Sequence, residues 1–323
     1  MFDVYLAQQD GLYRAPAGEG PPSAAVWVDL VRPTAEEEAR VGEALGIAIP
    51  TREEMEEIEI SSRLYGENGV HFMTATFLSQ ADTELPDAAP VTFILGSSCL
   101  ITVRHHEPRS FQTFKTRALR PAAGYTSAER VLAGLLDAII DRMADILERV
   151  NASVDALSRE IFRYRGRGPA KQRDFQALLE RIGREGDLLS MVRESLVSMG
   201  RLLSYLVLEL GTSKPRREAR ERIKMVVRDA HDLSAHASFL ADKITFLLDA
   251  TLGMIQIEQN GIIKIFSVAA VVFLPPTLVA SIYGMNFEIM PELDWRFGYP
   301  LAIGIMIASA AVTYAFFKRR GWL

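Results

Sequence analysis

Two uncharged stretches near the end of the chain restrict what it can fold into more than any other feature. Ile265–Tyr283 carries no Asp, Glu, Lys or Arg over 19 positions, and Phe297–Phe317 carries none over 21. At a rise of ~1.5 Å per residue, a helix of either length crosses a hydrocarbon layer of ~30 Å. Buried helices of a large soluble protein can look similar, but two in tandem at the end of a chain read as a membrane hairpin. Lys318, Arg319 and Arg320 follow the second stretch, and Lys264 stands at the entrance to the first. The connection over 286–296 carries Glu288, Glu292 and Asp294, with Arg296 at its edge. Basic flanks stay on the cytoplasmic side. The expected arrangement is therefore two spans, at about 262–283 and 297–317, with both termini in the cytoplasm and an acidic outer loop.

The rest of the 323 residues reads as soluble protein. Net charge is −5, so no global basic surface offers itself to nucleic acid. The single cysteine, Cys99, lies in an apolar run and is expected to be a buried thiol in a reducing compartment. Residues 1–14 lack a basic segment followed by an apolar one, so no cleaved signal is expected. Residues 1–125 read as a cytoplasmic α/β domain, with strands at Val26–Leu30, Val70–Leu78 and, folded about a Gly-Ser-Ser turn, Val91–Val103. Thr34 with Glu37, Thr51 with Glu54 and Thr126 with Glu129 have the spacing of a helix capping box.

Residues 126–261 read as a long-helix stalk region and 262–323 as the transmembrane domain. One helix is expected from Thr126 to about Tyr164 and another over Ala170–Leu210, with a turn at Arg163–Pro169 and a break at Gly211 and Pro215. No further proline appears until Pro275, so Arg216–Tyr283 is expected to be one helix, on the order of 100 Å long, whose last third is the first span. The soluble part of such a helix needs partners to cover its apolar face.

Two spans cannot enclose a pore, so conduction requires several copies. Alternate steps of three and four along the long helix put Asn260, Ile263, Ser267, Ala270, Leu274, Thr277, Ser281 and Gly284 on one stripe, the spacing of a left-handed bundle seam. Most of these residues are small or hydroxylated. They suit a polar pore lining, and they equally suit close helix packing in lipid. Both readings turn this face toward other copies. Pro275 and Pro276 remove amide donors and free carbonyls near Val271 and Val272, for a bend, an exposed carbonyl or a packing kink.

Tyr283-Gly284-Met285-Asn286 ends the first span, and Phe287-Glu288 and Met290-Pro291-Glu292-Leu293 follow it. With Glu258-Gln259-Asn260, Phe273-Leu274-Pro275-Pro276-Thr277, the closing Gly321-Trp322-Leu323 and the upstream Val26-Trp27-Val28-Asp29-Leu30, this resembles the CorA family of magnesium and cobalt channels. The resemblance implies an α+β chain: a cytoplasmic α/β domain, a stalk helix continuing into a transmembrane helix, and a second, C-terminal transmembrane helix. It implies a funnel-shaped homopentamer in a bacterial inner or plasma membrane. The implied activity is Mg²⁺ influx driven by membrane potential, with Co²⁺ and Ni²⁺ also carried. Tyr283, Gly284, Met285 and Asn286 match the selectivity entrance, Asn260 and Thr277 the pore wall, Ile263 and Leu274 its constrictions, and Asp249 an acid at the inner mouth.

The chemistry is consistent with that assignment. Mg²⁺ gives up its waters reluctantly. A ring of neutral Asn oxygens can accept hydrogen bonds from those waters without stripping them, and an ion must also be able to leave. A divalent ion gains ~4.6 kcal/mol per 100 mV of inside-negative potential. The chain has no Walker-type loop, and neither an enzymatic role nor an organic cofactor is expected. The family closes its pore with regulatory Mg²⁺ held between cytoplasmic domains. Asp229, Asp232, Asp242 and Asp249 are candidates for that site, although Met225 stands where some members carry a stalk aspartate.

His105-His106-Glu107 is expected to be structural, because strand neighbours point to opposite faces. His231, His236 and the cluster Arg216, Arg217, Arg220 and Arg222 are expected on solvated surface. Two other functions suit the same architecture: a zinc transporter of the same superfamily, with or without proton coupling, and a membrane-tethered metal sensor that conducts nothing.

Overall fold

The computed structural model describes residues 2–8, 11–16, 24–162, 174–209, 217–286, 290 and 295–320. The expected turn at Arg163–Pro169, the break at Gly211 and Pro215 and the closing Gly321-Trp322-Leu323 lie outside them. The chain divides into two compact units, Met1–Leu248 and Asp249–Leu323.

The first unit is built on a seven-stranded sheet of β1 (Phe2–Gln8), β2 (Gly11–Arg14), β3 (Ala25–Val31), β4 (Leu64–Glu67), β5 (Val70–Ser79), β6 (Asp87–Leu95) and β7 (Leu100–Arg104). The spatial order is β2-β1-β3-β7-β6-β5-β4. The central β3–β7 pair is parallel and the other pairs are antiparallel. The three strand regions expected from sequence form β3, β5 and the hairpin β6–β7. β1, β2 and β4 were not anticipated, because they are short or lack a long apolar run.

Alternation along the strands fills both faces. Val28, Leu30, Ile94, Ile101 and Val103 pack with Val41 of α1 (Ala35–Leu45) and Met55 of α2 (Arg52–Glu56). α3 (Ile60–Arg63) follows α2. On the other face, Trp27 meets Phe114 edge-on, and Phe93 stacks on Phe111, both phenylalanines belonging to α4 (Arg109–Ala118). Asp29 lies at the centre of that face, wholly buried. Thr34 and Thr51 form the expected capping boxes with Glu37 and Glu54. The third box is shifted: α5 (Ala128–Phe162) begins one residue late for Thr126, and the Arg130 amide donates to Ser127 Oγ at 3.4 Å.

α5 and α6 (Phe175–Glu209) run antiparallel, joined by Arg181 to Glu160 at 2.7 Å and by Ser153 to Glu185 at 2.5 Å. α6 also meets the sheet, where the Thr76 amide donates to Ser198 Oγ at 3.0 Å. α7 (Arg217–Tyr283) is continuous through Pro275 and Pro276, so the two prolines do not end the helix. Alongside α5 it runs parallel. Arg130 pairs with Glu218, Arg222 with Asp137 at 2.7 Å and Lys243 with Asp155, and Phe162 stacks on Phe246 at 5.8 Å. Arg222 is thus tied into the chain rather than free on a solvated face, and its guanidinium lies 5.9 Å over the Tyr125 ring. The last element is α8 (Gly298–Arg319).

Candidate ion pathway

The second unit holds the end of α7 and all of α8. Each helix contains a stretch long and apolar enough to cross a membrane, and the chain itself buries only 6% of either stretch. Apolar surface left so uncovered needs lipid, other copies of the helix, or both.

The pattern of cover on α7 is directional. Val268 is buried, and Lys264, Val272, Pro275, Pro276, Val279 and Tyr283 are half-buried. At 3.6 residues per turn these lie on one side. Ile263, Ala270, Leu274, Thr277, Ser281 and Gly284 lie close to the opposite side, with Asn260 and Ser267 toward its edge, and every one of the eight is exposed. Leu274 is 67% exposed and Ile263 61%, although both are large and apolar. The Thr277 hydroxyl donates to the Phe273 carbonyl at 2.8 Å, a local bond that spans the proline pair.

α8 has its own covered stripe. Ala302 is buried, and Met306, Ser309, Ala310 and Thr313 are half-buried at three- and four-residue steps. Ser309 and Thr313 donate to the carbonyls of Met306 and Ser309, at 2.9 and 2.8 Å. With their hydroxyls satisfied inside the helix, these small residues permit close packing.

At the end of α7 the Gly284 amide donates to the Ala280 carbonyl at 2.9 Å, and the Met285 amide to Ile282 at 3.3 Å. A Cβ on Gly284 would stand 3.2 Å from that same Ala280 oxygen, tighter than an ordinary contact. Glycine lets the chain leave the helix here without displacing it. Met285 and Asn286 follow, both exposed. Glu288, Glu292 and Asp294 lie outside the described residues.

The acids Asp229, Asp232, Asp242 and Asp249 are all exposed on α7, and a single chain does not gather them. Among the described residues no group of three or more His, Cys, Asp or Glu is placed to hold a metal ion. Asp229 lies among other carboxylates: burial first, then Asp137, Asp145 and Asp229, push the Asp141 carboxyl above its ordinary range. Asp232, Asp242 and Asp249 instead continue the three-and-four spacing of the seam toward the N-terminus of α7. That continuation also takes in Met225, Phe239, Phe246 and Gln256.

Other sequence candidates have structural surroundings. His106 is buried, with Nε2 3.0 Å from the Phe77 carbonyl. His231 and His236 are exposed. Cys99 is buried, which pushes its thiol up to about 12.

Residues 22–319 match the family model described as "CorA-like Mg2+ transporter protein". "Magnesium transport protein CorA" of Salmonella typhimurium is 40% identical over 307 residues, 93% of this chain and 92% of that protein. The protein of the same name from Haemophilus influenzae is 36% identical over 325 residues, the full length of both. The complete structure of a CorA magnesium transporter from Methanocaldococcus jannaschii superposes with a TM-score of 0.75 at 19% identity, over 100% of this chain and 99% of that one. That likeness establishes the arrangement of sheet domain, long helix and two terminal apolar helices. With matches over nearly the whole length in both the family and its individual proteins, the chain belongs to the CorA-like Mg²⁺ transporter family.

Proposed function

We propose that five copies of this chain surround a passage through which hydrated Mg²⁺ enters the cytoplasm, driven by an inside-negative potential. Co²⁺ and Ni²⁺ share the route. One observation carries the reading: the side of α7 bearing Ile263, Ala270, Thr277 and Ser281 lies opposite the side its own chain covers, and the stripe from Asn260 to Gly284 is exposed along its whole length. A face so placed is available to the same face of other copies. Its mixture of amide, hydroxyl and small side chains can touch a hydration shell without replacing it. The names of the full-length relatives point to the same ion.

In this reading the passage is widest in chemical tolerance at Asn260 and Thr277, and Ile263 and Leu274 are apolar rings that resist wetting when the helices are close. Gly284 and Asn286 form the outer mouth. Glu288, Glu292 and Asp294 raise the local cation concentration there, an effect that salt weakens. Both termini are cytoplasmic in this reading, which the basic Lys318–Arg320 flank supports. Cytoplasmic Mg²⁺ bound by stalk carboxylates of neighbouring copies holds the passage shut. Among the described residues a single chain does not gather enough ligands, so loss of the ion loosens the contact between copies.

The test is Mg²⁺ influx into proteoliposomes under an imposed negative potential. Influx is expected from the native chain and should be lost in Asn286→Ala while the oligomer persists. Zn²⁺ uptake that depends on a pH gradient, with no Mg²⁺ flux, would instead assign the protein to zinc transport. A well-folded oligomer that passes no ion would leave a sensor.

A further inference from the structure

Resting on that reading, we infer that the cytoplasmic part of α7 carries a second barrier to ions, made of Phe239 and Phe246 from every copy around the common axis.

Both side chains are unusual for their surroundings. Phe239 is 58% exposed and Phe246 59%, on a helix whose opposite side is packed. That packed side consists of Ile223, Val226, Ala230, Ala237, Leu240, Ile244 and Leu247, all buried, at steps of three and four with one step of seven between Ala230 and Ala237. α5 covers α7 through the Arg222–Asp137 and Lys243–Asp155 pairs. Phe239 stacks on His236 of its own helix, and Phe246 on Phe162 of α5, yet more than half of each phenylalanine stays in water. Leaving so much of an aromatic side chain in water forgoes the free energy of its burial.

The occupant of this face follows from register. Phe246, Phe239, Asp232 and Met225 precede Asn260 in the sequence by whole heptads, and Asp242 and Asp249 precede Ile263 in the same way. A heptad seam keeps one face of a helix toward its partners over its length. The copies that meet along Asn260–Gly284 therefore meet along Met225–Asp249 as well. Over 239–249 the seam alternates aromatic and acidic levels, with Phe239, Asp242, Phe246 and Asp249 in succession. An acidic level attracts a cation, and an aromatic level excludes its water when the helices close. Asp242 and Asp249 are thereby placed in the ion's path, whereas Asp229, one position off the seam, is turned toward the α5 carboxylates.

The single native cysteine makes the test direct, since Cys99 is buried and its thiol is held neutral. Phe239→Cys, Phe246→Cys and Thr277→Cys are introduced separately into the full chain, with Glu148→Cys on the exposed side of α5 as control. Oxidation in the reconstituted protein should link copies at all three seam positions and not at 148. Phe239→Ala with Phe246→Ala should raise Mg²⁺ flux several-fold at a Mg²⁺ concentration that shuts the native protein, and Phe→Leu at both positions should restore closure. Links at 277 without links at 239 or 246 would overturn this inference and leave the pore reading standing, as would an unchanged closing concentration in the double alanine variant. Absence of both flux and the 277 link would defeat the pore reading itself.

Discussion

Arg104 holds Asp29 with two nitrogens, Nε at 3.1 Å from Oδ1 and Nη2 at 2.9 Å from Oδ2. The two residues sit on adjacent parallel strands, and solvent reaches neither to any useful extent. Thr102 donates to Oδ1 at 2.7 Å, Trp27 donates to Thr102 at 3.0 Å, and Lys115 approaches Oδ2 at 2.8 Å. The Trp27 and Asp29 of the Val-Trp-Val-Asp-Leu segment are thus parts of one polar network beneath α4.

Removing one side of that pair is expected to cost more than the pair itself contributes. Asp29→Ala leaves a buried guanidinium without its carboxylate and should destabilise the protein by about 3–5 kcal/mol. Replacing both Asp29 and Arg104 with apolar residues should cost less than Asp29→Ala alone. Burial by itself would raise the Asp29 carboxyl, but Arg104 and Lys115 override it and hold it below the usual carboxylate range. Its contribution is therefore complete above the unfolded value near 3.8 and is lost as pH falls through the folded one. Thermal unfolding of the purified protein against pH reads both effects.

His106 predicts a second pH limb of the same sign at higher pH. Burial lowers its pKa from 6.5, although the Phe77 carbonyl opposes the shift. Below 6.5 the unfolded chain takes up a proton that the folded chain resists, so stability should decline as pH falls from 6.5 toward the folded value. His106→Gln retains a donor for Phe77 and does not titrate. It should flatten that limb in the same unfolding measurement.

Gly134 is a steric requirement. A Cβ there would lie 2.3 Å from Tyr125 Cε1 and 2.8 Å from Phe114 Cε2. Gly134→Ala should destabilise by roughly 1–3 kcal/mol, the usual cost of overfilling a packed core. It should also weaken the bond from Arg117 to the Gly134 carbonyl, now 2.8 Å. A second change, Tyr125→Leu, should recover part of the loss.

Gly284→Ala separates flux from folding. The added methyl crowds the Ala280 carbonyl and shifts the backbone that carries Asn286, at a site exposed in the single chain. Mg²⁺ flux is expected to fall several-fold with the melting temperature almost unchanged. A parallel loss of both would mean the glycine serves only the fold.

Much of the architecture was legible because it rests on local rules. Capping at Thr34 and Thr51 depends on residues three apart, and the absence of charge over Ile265–Tyr283 depends on the stretch alone. The shifted cap at Ser127 and the short strands β1, β2 and β4 were not legible. A cap one residue either way satisfies the same local chemistry, and a short strand is stabilised mainly by its neighbours. Heptad spacing alone sets Asp232, Asp242 and Asp249 on the seam and Asp229 off it. What Asp229 faces instead, Asp141 and the other α5 carboxylates, was not legible, because it depends on which helix packs beside α7.

The order of residues by itself determined that two apolar helices end this chain, that a long helix leads into the first, and that one stripe of it is small and polar. These follow from composition and periodicity, which need no partner to be real. The tertiary structure decided which side of α7 the chain covers, because burial depends on what folds back against a helix and not on the helix alone. It put Asp29 against Arg104 and Arg222 against Asp137 for the same reason: the residues of each pair are far apart in sequence, and only packing brings their charges within bonding distance.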